Sequence, residues 1–166
     1  MGAAVSGQNG LGAEDVVALR HLVDAYADAV DRRDGDALVA LFDSEAQMRV
    51  QGEQGPVESS YQGPAIIESL ATLAAYHRTF HHVGGAVFEA VPSEDRQATG
   101  RVHCLAHHYE RSSNGPVDLV MMIRYLDRYS KGSDARWLIA DRQVVIEWTE
   151  LHAAYPTRRV IRREST

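Results

Sequence analysis

The chain has one cysteine, Cys104, in 166 residues, so no disulfide can form within it and a reducing compartment, the cytoplasm, is the expected location. No stretch approaches the ~20 consecutive apolar residues that span a bilayer. The first twelve residues are small, glycine-rich and uncharged. They lack the basic-then-apolar order of a signal peptide and are expected to form a disordered leader. Positive charge is scarce: 17 Lys and Arg stand against 23 Asp and Glu, a formal charge of −6. A nucleic-acid partner is not expected, since displacing counterions from a duplex needs a basic footprint. The one basic cluster, Arg158, Arg159, Arg162 and Arg163, reads as a solvated tail. Gly-x-Ser-x-Gly, a phosphate-cradling glycine loop and Cys-x-x-Cys are all missing, which removes serine-hydrolase, nucleotide-binding and dithiol-redox readings.

A metal site is not expected either, although there are eight histidines. His77 and His81 are four apart, but the His-Glu-x-x-His arrangement is absent and the chain passes from helix to strand between them. His103 and His107 would share one strand face ~13 Å apart at ~3.3 Å per residue, too far to hold one ion unaided.

What is present describes an ordinary globule, 45% hydrophobic and 24% charged, long enough to bury about two thirds of the surface its unfolded chain exposes. Leu19, Leu22, Val23, Tyr26 and Val30 recur at helical spacing over residues 13–33, with Glu14 and Asp15 in the first turn, where the helix dipole favours them. Asp34-Gly35-Asp36 breaks this helix and caps a short second one over 37–42. A brief strand is expected over 47–50, an extended segment over 57–61, and a helix opened by Gly63-Pro64 that carries Ile66, Ile67, Leu70, Leu73 and Ala74 on its apolar stripe. Four long strands follow over 80–91, 97–111, 117–129 and 136–148, separated by turn-forming segments around Pro92, Gly115 and Gly132. Short turns between sequential strands make an antiparallel meander. The expected fold class is α+β, with helices on one face of a strongly curved sheet, in a domain over 13–150 followed by a C-terminal tail over 151–166.

These landmarks appear in a fixed order: Tyr26 to Asp36, Leu41-Phe42-Asp43, Tyr61-Gln62-Gly63, Thr79 to Gly84, Arg124 to Arg128, and Trp137 to Arg142. Together they resemble the SnoaL-like branch of the nuclear transport factor 2 superfamily over roughly residues 14–150. The resemblance implies a cone-shaped α+β barrel of antiparallel or mixed sheet around a pocket. Members include cofactor-free enzymes similar to scytalone dehydratase, bile-acid 7α-dehydratase and hexachlorocyclohexane dehydrochlorinase, as well as polyketide cyclases and isomerases. It further implies that Asp31 and His81 match a catalytic aspartate and histidine, that Tyr26 occupies the place of a pocket tyrosine five positions before that aspartate, and that Arg142 matches an arginine of the last strand. A further polar pocket position falls near Cys104, with His103, His107 and His108 as the nearest imidazoles. Which of the three enters the pocket stays open.

The residues themselves support part of this. On a strand over 137–148, Ala140, Arg142, Val144, Ile146 and Trp148 share one face. A guanidinium among apolar neighbours either binds a ligand or forms a salt bridge to Asp31 or another helix acid. Cys104 reads as a packing thiol and Tyr26 as a core tyrosine whose phenol can still donate to an oxyanion. A carboxylate that orients His81 would fix its tautomer and stabilise its cation. The leading expectation is therefore a lyase, of dehydratase type, or an isomerase, acting without a cofactor on a small, apolar, oxygenated molecule. Asp31, His81 and Tyr26 would be catalytic, and Arg142, Cys104, His108 and Trp148 would contact substrate. The rival is a non-catalytic ligand-binding or oligomerisation module resembling the dioxygenase small subunit, favoured if Asp31 and His81 lie beyond hydrogen-bond reach. On either reading Met121, Met122 and Ile123 offer apolar sheet surface for a homodimer or homotrimer.

Overall fold

A computed structural model describes residues 10–52, 55–113 and 115–155. The first helix, α1, runs Ala13–Arg32 and buries Leu19, Leu22, Val23, Tyr26, Ala27, Ala29 and Val30, as the 3.6-residue period requires. It stops where Arg33 takes a left-handed φ of 54°, which lets Asp34 N–H bond back to Ala29 C=O at 2.9 Å in a Schellman-type closure. The guanidinium of Arg33 donates to Leu73 C=O and Tyr76 C=O at 3.2 Å each. Asp34 then caps α2, Gly35–Val39, by accepting from Ala37 N–H at 3.0 Å.

Six strands follow: β1 Phe42–Gly52, β2 Val57–Gln62, β3 Arg78–Val91, β4 Glu94–Ser112, β5 Gly115–Lys131 and β6 Trp137–Ala153. They form one sheet in the order β2-β1-β6-β5-β4-β3. All neighbours are antiparallel except β1 and β6, which run parallel. The sheet is α+β in character and mixed, and it stays open, with β2 and β3 as its edges. Helices cover its inner face, where the hydrophobic core lies.

Three details differ from the periodicity. β1 begins at Phe42, which pairs Ile139; the polar run Asp43-Ser44-Glu45 is an irregular stretch without a ladder partner, and pairing resumes at Gln47. The segment Gly63–Ala75 is a 3₁₀ helix, longer than the usual few residues of that type. Ser69 Oγ donates to Ile66 C=O and Thr72 Oγ1 to Ser69 C=O, both at 2.7 Å, so two side chains fasten the three-residue spacing. β6 carries two bulges, where Tyr129 pairs Ile139 but Arg128 pairs Asp141, and where Ile123 pairs Ile146 but Met122 pairs Trp148. Each inserts one residue, Ala140 and Glu147, and reverses the alternation of faces. Ile139, Arg142, Val144 and Ile146 consequently face inward, while Trp148 turns to the outer face with Met122.

Met121 and Ile123 also face inward, so the expected row of three surface residues is not a patch. Apolar groups of the outer face include Phe80, Val87, Leu105 and Trp148, of which Phe80 is 62% exposed. No described helix is long and apolar enough to cross a membrane. Residues 1–9 of the expected leader and, in the expected tail, residues 156–166 with their arginine cluster lie outside the described residues.

Gly63 joins β2 to the 3₁₀ helix at φ +51°, and a Cβ there would lie 2.6 Å from Ser44 C=O. Gly63→Ala is expected to cost at least about 1–2 kcal/mol from the left-handed backbone alone, read as a lower urea midpoint at unchanged slope.

Candidate active site

The end of α1 and the start of β3 meet at Asp31. Its Oδ2 accepts the backbone N–H of His81 at 2.8 Å, and its Oδ1 lies 2.7 Å from His81 Nδ1. Burial pushes the Asp31 carboxyl up, but hydrogen bonds from the His81 ring and backbone outweigh it and hold the pKa below the ordinary value. An ionised carboxylate only accepts, so Nδ1 carries the proton and Nε2 is the free ring nitrogen. The His81 side chain is 7% exposed and that of Asp31 22%.

His81 lines a cavity of about 260 Å³ enclosed between the inner sheet face, α1 and the 3₁₀ helix. His108 lines it too, on the inward face of β4, with its ring centroid 5.7 Å from that of His81 and 4.7 Å from that of Tyr76. Among the three candidates on β4 it is the one that enters the cavity; His103 and His107 point outward, and His107 pairs with Asp118 at 2.7 Å. Burial, joined by repulsion from His81, pulls the His108 pKa below the ordinary value. His108 Nδ1 donates to Leu119 C=O at 3.3 Å, which leaves its Nε2 as an acceptor. Two imidazoles thus face one small volume.

Tyr26 and Tyr125 form a further part of the wall. The hydroxyl of Tyr26 donates only to Met48 Sδ, at 3.8 Å, a weak acceptor. Burial pushes this phenol up despite the nearby charge of Arg142, so it stays a proton donor at neutral pH.

Arg142 is placed differently from expectation. Its side chain is 0% exposed, so it lies beneath the wall and does not line it. It pairs with Asp127 on the adjoining strand β5, not with Asp31 or another helix acid: Nε donates to Oδ1 at 2.9 Å and Nη2 to Oδ2 at 2.6 Å. The rings of Tyr26 and Tyr125 pack on its guanidinium at 4.0 and 4.3 Å, and Tyr129 donates to the same Asp127 at 2.6 Å. Burial alone would lower the Arg142 pKa, but Asp127 reverses this and keeps the cation. Asp127 was legible in principle, since Ile123, Tyr125, Asp127 and Tyr129 alternate on one strand face and an acid in such a run needs a cation.

Two other expected contacts are also displaced from the cavity. Cys104 faces inward but is buried behind Tyr125, and burial raises its thiol pKa. Trp148 is 54% exposed on the outer face, where it donates to Glu150, because the bulge at Glu147 inverts its side. Among the described residues, no group of three or more His, Cys, Asp or Glu is placed to hold a metal ion.

Comparison with known proteins follows the same outline. A SnoaL-like domain matches residues 12–143. No curated protein matches the sequence. Among solved structures, a proposed scytalone dehydratase of Novosphingobium aromaticivorans superposes with a TM-score of 0.70 at 21% identity, covering 92% of this chain and 96% of that one. A hexachlorocyclohexane dehydrochlorinase, LinA type 2, gives 0.70 at 18% identity over 87% and 95%. A proposed aromatic ring hydroxylase of Novosphingobium aromaticivorans gives 0.70 at 20% over 87% and 96%. At such identities the likeness establishes the fold.

Two outcomes test the electrostatics. Asp127→Asn should cost about 3–5 kcal/mol by leaving Arg142 buried and unpaired, whereas the double replacement Asp127→Leu with Arg142→Met should lose less than either single change; urea unfolding measures both. A histidine with a depressed folded pKa stabilises fully above its unfolded value of ~6.5 and progressively less as pH falls below it. His108→Gln should therefore flatten the decline in stability between about pH 7.5 and 5.5 in the same measurement.

Proposed function

Since the chain belongs to the SnoaL-like domain family, we propose that it is a cofactor-independent lyase or isomerase whose base is His81, oriented by Asp31. The observation that carries this reading is the 2.7 Å contact between the two side chains at the wall of a largely apolar cavity. The structural likeness to a dehydrochlorinase and a proposed dehydratase supports the same class.

In the elimination, His81 Nε2 removes a proton from the carbon beside a carbonyl. The C–H electron pair moves into the new C=C bond as the C–O bond to the leaving hydroxyl breaks. The departing hydroxide takes the proton back from the imidazolium and leaves as water, which returns His81 to its starting state. Asp31 stabilises the transient cation. Tyr26 O–H, released from its weak sulfur acceptor, donates to the carbonyl oxygen as negative charge develops there. His108 Nε2 accepts from a substrate hydroxyl and so helps to position it. Arg142 acts through Tyr26 and Tyr125, by holding both rings in place, and touches no substrate. Isomerisation uses the same first step, with the proton returned to a different carbon.

The outer sheet face, with Phe80, Leu105 and Trp148 exposed, is the surface we assign to a homodimer or homotrimer. Sedimentation equilibrium should give a mass above that of the 18.3 kDa chain, and Trp148→Glu should lower it.

The catalytic reading is tested with 3-hydroxy-1-tetralone, a bicyclic β-hydroxy ketone whose loss of water yields 1-naphthol. His81→Ala is expected to reduce turnover, and deuterium exchange at the carbon beside the carbonyl, by ~10²- to 10⁴-fold. Asp31→Asn should reduce both while leaving the fold intact by circular dichroism. Exchange that persists unchanged in His81→Ala would remove His81 as the base.

A further inference from the structure

The cavity carries one formal charge that this chemistry does not use. β2 and β3 are the two edges of the sheet, yet Glu58 and Ser59 of β2 and His81 of β3 line the same hollow. A single sheet achieves this only by curling until its edges face one another. The imidazoles therefore stand on one wall and Glu58 on the opposing one, with Met48, Val50, Met121 and Val144 from the strands between.

Glu58 carries the one formal charge of this side, beside the hydroxyls of Ser59 and Tyr61 on the same strand. Its carboxylate accepts only, and no described side chain pairs with it. Beside β2, the 3₁₀ helix turns Ser69 and Thr72 toward the cavity, but their hydroxyl protons are committed to Ile66 C=O and Ser69 C=O. Their lone pairs remain. The same cavity offers an anion no countercharge. No described Lys or Arg lines it, the charge of Arg142 is spent on Asp127 behind the wall, and Asp31 adds a second negative charge behind His81.

We propose that Glu58 determines specificity: the site takes small uncharged molecules that carry a hydroxyl remote from the reacting carbon, donated to Glu58, and rejects carboxylates and other anions. This rests on the catalytic reading for the step from ligand to substrate, whereas the preference in binding stands on the cavity alone.

The test is calorimetric titration at pH 7 with naphthalene-1,6-diol, a naphthol whose second hydroxyl lies on the far ring, and with 1-naphthoate, which shares the bicyclic frame but carries a charge. The full-length wild type should bind the naphthol at least about tenfold more tightly. Glu58 is exposed, so solvent screens part of its effect. Glu58→Gln should narrow the ratio about threefold, and Glu58→Lys should bring it to unity or invert it. His81→Ala should leave the ratio standing while turnover of the β-hydroxy ketone is lost. If that turnover survives in His81→Ala, the catalytic reading fails and the selectivity of Glu58 is untouched. A ratio unchanged in Glu58→Lys, equal affinities in the wild type, or no binding of the naphthol would each overturn the assignment to Glu58.

Discussion

One carboxylate holds this molecule's site together. Asp31 has both oxygens engaged by the same residue fifty positions away, one by the ring of His81 and one by its backbone N–H. β3 is an edge strand, so that N–H has no strand neighbour on its outer side, and the carboxylate satisfies a backbone group that would otherwise lie open. A single contact thus docks α1 on the sheet edge, fixes the tautomer of an imidazole and supplies the charge that would stabilise its protonated form. Arg33 reinforces the junction from the helix end by gripping Leu73 C=O and Tyr76 C=O. Arg20 does the same along the strand, donating to Val83 C=O and Gly84 C=O at 2.9 and 2.6 Å.

Charge in the interior is sorted by depth. Arg142 and Asp127 sit fully buried, each satisfied mainly by the other, and two tyrosine rings separate them from the cavity. A pair so deep contributes little net stability compared with apolar replacements, but breaking it is costly. Its evident use is to fix Tyr26 and Tyr125, two walls of the hollow, against a rigid planar cation. What remains at the cavity surface, among the described residues, is imidazole, phenol, hydroxyl and a single carboxylate. Such a lining would suit proton transfer on uncharged molecules, because burial holds the Tyr26 phenol and the His108 imidazole toward their neutral forms.

Much of this was legible in the chain. The 3.6-residue stripe of α1 and the turns around Pro92, Gly115 and Gly132 fixed most elements, and the order of motifs pointed to the family and to Asp31 and His81. The failures share a cause: information that resides in pairing between distant strands. Asp127 faces Arg142 across the β5–β6 ladder; its alternation with Ile123, Tyr125 and Tyr129 marks it as inward-facing, but only the ladder pairs it with Arg142. The bulges at Ala140 and Glu147 break the two-residue alternation that placed Trp148 inward. The parallel pairing of β1 with β6 takes Phe42 into a strand, where propensity alone ended a helix. Glu58 lacked any local signal, since only the curl of the sheet brings β2 opposite β3.

The central claim is that His81 presents an unprotonated Nε2 to the cavity because Asp31 holds the proton on Nδ1. Long-range ¹H–¹⁵N correlation spectroscopy of the imidazoles measures this directly. At neutral pH the account predicts a protonated Nδ1 and a free Nε2 for His81, with that pattern lost in Asp31→Asn. The opposite tautomer in the wild-type protein, or a pattern indifferent to the loss of the carboxylate, would contradict it.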